Sequence, residues 1–142
     1  MKNLVLNFFL ENNYITKSGS RKFIDKLFLN SRIYFVLKYI QLIFINRKLA
    51  LKGIYDRKAW ALSSFKVIEL IENCGGRFHI EGLDNLRNCK EPVVFVSNHM
   101  SAMESMIFPA LIAPFMEVTF VIKESIAKHF LFGPVIFHYP SF

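Results

Sequence analysis

Apolar side chains recur at helical spacing along the first half of the chain. In residues 33–44 most apolar positions follow one another at intervals of three or four, and the basic residues fall elsewhere on the helical wheel. Residues 21–28 show the same spacing, and so do residues 55–75. The last stretch runs into Gly75 and Gly76, which can take the left-handed conformation that ends helices. The pattern therefore predicts three helices.

The spacing changes after the two glycines. One stretch alternates apolar and polar residues, and two short apolar runs rich in β-branched residues are typical of strands buried on both faces. The pattern predicts strands at residues 77–81, 93–96 and 118–122, and helices at residues 100–113 and 124–130. The order helix, strand, strand, helix, strand, helix indicates an α/β fold, in which residues 93–122 resemble one βαβ unit.

Charge is concentrated in the first part of the chain. Residues 1–60 carry 12 Lys or Arg against 3 Asp or Glu, a net charge of +9, whereas residues 61–142 carry 6 against 8, a net of −2. Such a segment suits an anionic surface, either nucleic acid or anionic lipid. Because the chain lacks a recognisable nucleic-acid-binding module, lipid is favoured and no nucleic-acid partner is expected.

The apolar content of the chain also favours lipid over nucleic acid as the partner. Hydrophobic residues make up 53% of the chain, with 16 Phe, which is above the usual share for soluble domains. No stretch reaches the roughly 18 to 20 uninterrupted apolar residues of a membrane span. The helix at residues 33–44 therefore has two interpretations, a helix packed on the domain or a helix lying in a membrane interface. We predict a basic, membrane-associating helical segment at residues 1–54 and an α/β domain at residues 55–142.

The candidate chemistry lies where the strand at residues 93–96 ends. His99 follows this strand, and Glu104 would lie in the first turn of the next helix, from which it can swing back toward the imidazole. A carboxylate on one ring nitrogen fixes the tautomer, frees the other nitrogen as a base and stabilises the imidazolium. This geometry can deprotonate a hydroxyl. The alternative is a His that caps a helix beside a surface Glu.

The flanking residues carry a family resemblance. Residues 93–104, VVFVSNHMSAME, closely resemble the first signature of the glycerolipid acyltransferases of the lysophosphatidic-acid-acyltransferase type, an apolar strand running into Asn-His, four residues and an acid. Upstream, FHIEGLDNL at residues 78–86 is similar to the family's lead-in. Downstream, FVIKES at residues 120–125 and FGP at residues 132–134 are similar to later family segments. The ordered succession of the pieces is more specific than any one of them.

The resemblance implies roles for five residues. His99 would be the general base and Glu104 its orienting partner. Asn98, Ser101 and Lys123 would be substrate-binding residues, although a solvated lysine explains Lys123 equally well. The implied reaction moves a fatty acyl group from acyl-CoA or acyl-carrier protein to the hydroxyl of lysophosphatidic acid, in phospholipid biosynthesis. Because the donor is already activated, no metal and no bound cofactor are expected.

Two departures from the family pattern leave alternatives open. At the acidic position of the first signature the family most often has Asp, whereas this chain has Glu104. Related enzymes that acylate lipid A precursors have Glu at this position. The family's later signatures, with an Arg for the acceptor phosphate and a Glu-Gly-Thr-like turn, have no counterpart here. We therefore expect a C-terminally truncated member at the cytoplasmic face of a membrane, either active or a catalytically inactive membrane-associated fragment.

Overall fold

The computed structural model describes residues 12–17, 32–98 and 100–137. These residues form six helices and two short strands, in the order β1 (Asn13–Ile15), α1 (Arg32–Leu51), α2 (Arg57–Asn73), β2 (His79–Glu81), α3 (Leu83–Asn88), α4 (Met103–Ile112), α5 (Glu124–Ala127) and α6 (Gly133–Phe137). The helix predicted at residues 21–28 and the candidate base His99 lie outside the described residues. Within the described ranges, no helix is both long and apolar enough to cross a bilayer.

Helix α2 confirms the helix and the glycine stop predicted for residues 55–75. Its N-cap is Asp56, whose carboxylate accepts a hydrogen bond from the Ala59 backbone N–H at 2.8 Å. At the other end Gly75 has a φ of 88°, and the Gly76 N–H reaches back to the Ile71 carbonyl at 2.9 Å. This is the glycine-dependent arrangement that satisfies the last carbonyls of a helix.

The hydrophobic core lies between α2 and α4. Phe65 and Ile68 on α2 are almost fully buried, and they belong to one cluster with Ile107 and Ala110 of α4. Leu42 of α1, Phe78 and Leu83 complete the same cluster. Burial of these side chains is the main stabilising contribution to the packing of the helices.

The two strands pair antiparallel, with Tyr14 opposite Ile80. The prediction of a strand within residues 77–81 is confirmed, and its partner comes from more than 60 residues earlier. A buried carboxylate attaches this pair to α2, because Glu72 Oε1 accepts hydrogen bonds from the Tyr14 hydroxyl at 2.5 Å and the Thr16 hydroxyl at 2.7 Å. Burial, reinforced by the hydrogen bond to Glu72, raises the pKa of Tyr14.

The strands predicted at residues 93–96 and 118–122 are not formed in the described part of the chain. Both segments lack strand pairing, and Val94 and Val96 are each 90% exposed. The reason is that an extended segment becomes a strand only where a neighbour takes its backbone hydrogen bonds. Of the predicted βαβ unit, the helix alone is present, as α4. The α/β fold of an incomplete acyltransferase domain stays a prediction.

Candidate functional site

Glu104 lies in the first turn of α4, as the sequence predicts. Its carboxylate folds back over the start of the helix. Oε1 accepts hydrogen bonds from the backbone N–H of Met100 at 3.3 Å and of Ser101 at 3.2 Å, and Oε2 accepts one from the Ser101 hydroxyl at 3.2 Å. Met100 directly follows His99 in the chain. The carboxylate is therefore held beside Met100, the residue that follows the candidate base in the chain.

Ser101 and Glu104 are also hydrogen-bonded in the manner of a capping box, one residue ahead of the N-cap position, which Ala102 occupies. The Ser101 hydroxyl accepts a hydrogen bond from the Met103 N–H at 3.1 Å, while Glu104 reaches back to the Ser101 N–H. This reciprocal pattern, Ser-x-x-Glu, satisfies free backbone donors at a helix start. The motif is visible in the sequence, and reasoning that treated Glu104 only as the partner of a histidine missed it.

The hydrogen bonds at this cap set the charge of the carboxyl group. The backbone N–H of Glu104 contributes most, followed by the backbone N–H and hydroxyl of Ser101 and the backbone N–H of Met100, and they hold the pKa of Glu104 below its ordinary value. Glu104 is therefore a carboxylate at neutral pH, the form that can accept a hydrogen bond from an imidazole.

The other predicted site residues are exposed. Asn98 lies in the extended segment before His99. Lys123 is at the start of α5, where its carbonyl accepts hydrogen bonds from the N–H groups of Ile126 at 2.9 Å and Ala127 at 3.4 Å. The structure thus brings Ser101 and Glu104 together and places Lys123 on a separate helix.

A cavity of about 730 Å³ lies beside the start of α4. Its walls are mainly apolar and come from α1, α2 and residues 120–136. Ala102, Ser105 and Met106, which flank Glu104 in the chain, line it as well. The volume is within the roughly 300–1,000 Å³ of ligand sites in proteins. Sequence reasoning could not find this cavity, because its walls come from five separate parts of the chain.

Three hydrogen-bonded polar side chains lie in the wall of the cavity. The Asn46 side-chain amide of α1 donates a hydrogen bond to the Ser63 hydroxyl of α2, and Tyr55 lies against the same serine. Burial raises the pKa of Tyr55 to about 12, and the hydrogen bond with Ser63 opposes this shift. Because these groups are hydrogen-bonded to one another, the cavity keeps a mainly apolar character.

No cluster of three or more His, Cys, Asp or Glu side chains suited to a metal ion occurs within residues 12–17, 32–98 and 100–137. The two cysteines, Cys74 and Cys89, are not joined in a disulfide. Comparisons of the chain with protein-family models, with curated protein sequences and with solved structures found no match.

Proposed function

We propose that the chain is an O-acyltransferase that moves a fatty acyl group from acyl-CoA or acyl-carrier protein to the hydroxyl of a lysophospholipid, lysophosphatidic acid, in phospholipid biosynthesis. The observation that carries the proposal is the position of the first turn of α4. This turn holds the Glu104 carboxylate beside the backbone of Met100 and also lines the apolar cavity. An acid five residues after a histidine in the chain, and an apolar cavity that fits an acyl chain, are the parts that the proposed acyl transfer would use.

In the proposed reaction His99 removes the proton from the acceptor hydroxyl. The hydroxyl oxygen attacks the thioester carbonyl, the carbon–sulfur bond breaks, and the released thiolate takes the proton from the imidazolium. Glu104 orients the imidazole and stabilises its protonated form. No acyl-enzyme intermediate, metal or bound cofactor takes part in this scheme. Asn98, Ser101 and Lys123 are proposed to contact the substrates.

The outer face of α1 supports a membrane as the place of the reaction. Five exposed apolar side chains follow one side of this helix, and they are referred to here as the outer stripe: Ile33, Leu37, Ile40, Phe44 and Leu51. Exposed Lys38 and Lys48 stand on the same helix. Apolar residues that insert at the headgroup boundary, with lysines near lipid phosphates, are typical of interfacial helices. The proposed location is the cytoplasmic face of a membrane.

The test is acyl transfer by the purified chain in detergent or vesicles, with acyl-CoA and acyl-carrier-protein thioesters as donors. Lysophosphatidic acid and a lipid A precursor are the acceptors. Product from the wild type that is lost in His99→Ala supports the proposal, and the acceptor used decides between the two substrate classes. His79→Ala is the matched control, because His79 is an exposed histidine on β2 and should leave transfer unchanged.

A catalytically inactive, membrane-associated fragment is the second candidate. It is favoured by the exposure of Val94 and Val96, which leaves the segment leading into His99 without strand partners. A site on such a segment lacks the rigid support that catalytic geometry needs. Vesicle binding without acyl transfer, by chain whose circular dichroism shows it to be folded, would establish this candidate instead.

A further inference from the structure

The guanidinium of Arg47 lies where α1 meets the turn that precedes α6. Its Nε donates a hydrogen bond to the Phe130 carbonyl at 3.1 Å. Phe130 stands in the chain between His129 and Leu131, and His129 lines the cavity described above. On α1, Ile43 and Asn46 line the same cavity. Arg47 is not itself a lining residue, but its guanidinium lies beside the backbone of Phe130, which adjoins the lining residue His129.

The ring of His129 is held in one orientation. Its Nδ1 accepts a hydrogen bond from the Leu131 N–H at 3.3 Å, and the ring lies against those of Phe130 and Phe132, with centroids 5.1 and 5.4 Å away. Because Nδ1 acts as the acceptor, the neutral ring carries its hydrogen on Nε2. The Nε2–H of His129 is therefore a hydrogen-bond donor in the wall of the cavity.

Arg47 and His129 form no ion pair with a carboxylate in the described part of the chain. The acid on the neighbouring helix α5, Glu124, is paired with Lys128. The Nη groups of Arg47 keep four N–H donors beyond the hydrogen bond that Nε makes. Two donors without an acidic partner therefore stand at one edge of a mainly apolar cavity. Arg47 is half-buried and His129 is exposed, so a bound anion would reach both from solvent.

We propose that Arg47 and His129 bind the phosphate of an amphiphile whose apolar chain occupies the cavity. A guanidinium is well suited to phosphate, because its planar N–H groups form paired, charge-assisted hydrogen bonds. The inference rests on the proposed function only in taking the apolar chain to be an acyl chain. The phosphate has two chemical sources, the headgroup of a lysophospholipid or the phosphates of a coenzyme A thioester.

The test measures binding through Trp60. This residue is the only tryptophan of the chain and lines the cavity, so its fluorescence reports an occupied cavity. The probes are dispersed lysophosphatidic acid, the monoacylglycerol of the same chain length and acyl-CoA. Arg47→Gln should weaken lysophosphatidic acid binding by about tenfold, as expected for one lost charge-assisted hydrogen bond, and leave monoacylglycerol binding unchanged.

Three further variants make the test specific. Lys48→Gln removes a neighbouring positive charge from α1 and should change the affinity by less than about twofold, because exposed charges act weakly at a distance. His129→Phe keeps a ring beside Phe130 and Phe132 but removes the donor, and should also weaken phosphate binding. Arg47→Lys keeps the charge without the planar fork and should show an intermediate affinity. Circular dichroism of each variant checks that it is folded.

The outcomes separate the hypotheses. If Arg47→Gln weakens the binding of lysophosphatidic acid alone, Arg47 binds the phosphate of the acceptor. If it weakens the binding of acyl-CoA alone, Arg47 binds the phosphates of the donor. Equal effects of Arg47→Gln and Lys48→Gln, or equal affinity for the phosphorylated and unphosphorylated lipids, would overturn the inference. Phosphate binding through Arg47 without acyl transfer would retain the inference and remove the proposed function. Acyl transfer by a chain whose lipid affinities are unchanged by Arg47→Gln would retain the proposed function and overturn the inference.

Discussion

A single carboxylate has one observed role and one proposed role in the candidate site. Glu104 caps α4 together with Ser101, and in the proposed mechanism it also orients His99. A capping interaction stabilises the helix start whether or not the protein is an enzyme. Variants that separate the two roles are therefore the most informative at the scale of the residue.

Glu104→Gln separates them. Glutamine can still accept the N–H hydrogen bonds of a capping box but has no negative charge to stabilise an imidazolium. We expect helix content and unfolding midpoint to change little, and acyl transfer to fall by about 100-fold or more if the base is oriented in this way. Glu117→Gln is the control, since it is the same chemical change at a side chain that is 94% exposed. An unfolding midpoint that falls together with transfer in Glu104→Gln would assign Glu104 a structural role alone.

The titration of Glu104 gives a second prediction. Its pKa is lowered by N–H and hydroxyl donors that act only in the folded state. The cap therefore stabilises the fold above the pKa of the unfolded chain, and this contribution is lost as pH falls through the lowered folded value. Carbon-13 NMR of the side-chain carboxyl should show a midpoint below the ordinary value, and Ser101→Ala should move it upward. A midpoint at the ordinary value in the wild type would contradict the capping geometry.

Helix α1 is apolar on two opposite sides. Leu42 and Ala50 face the core, whereas the outer stripe faces solvent. A helix with apolar residues all round needs cover on both sides. The core covers one side of α1, and the cover proposed for the other side is a lipid surface.

The outer stripe should determine binding to anionic vesicles. Replacing Leu37 and Phe44 by Ser should lower the partition coefficient by at least tenfold, because each side chain loses the free energy of leaving water. Replacing Lys38 and Lys48 by Gln should weaken binding mainly at low salt. Vesicle flotation measures both effects. Equal flotation of the wild type and the Ser variant would exclude the stripe as the docking face, and a concentration-dependent dimer would identify a second copy as its cover.

At the scale of the whole molecule, the packing of α2 against α4 holds the fold together. Ile68 is 0% exposed in this core, whereas Ile40 on the outer stripe is 44% exposed. Ile68→Val should lower the free energy of unfolding by about 0.5–1.5 kcal/mol, since it leaves a space the size of a methyl group among packed side chains. Ile40→Val, the same chemical change, should have an effect within about 0.5 kcal/mol. Urea denaturation measures both, and equal effects would place the core elsewhere.

Local patterns were enough to predict α2 and its glycine stop, the helix that became α4, the position of Glu104 in its first turn and the strand that became β2. They predicted two further strands, which the described chain does not form. Residues 93–96 have the composition of a buried strand, but composition does not determine whether another strand lies beside them to pair with. Local signals also could not show that Glu72 would be buried beneath Tyr14 and Thr16, because those residues lie 56 to 58 positions away in the chain.

The amino-acid sequence by itself determined the helices with strong 3.6-residue periodicity, the capping residues at their ends and the uneven distribution of charge, since each depends on residues only a few positions apart. The tertiary structure alone decided the pairing of β1 with β2, the cavity beside α4 and the approach of Arg47 to the turn containing Phe130. These features depend on packing between distant segments, where small differences in burial and backbone hydrogen bonding select one arrangement among many that the local pattern allows.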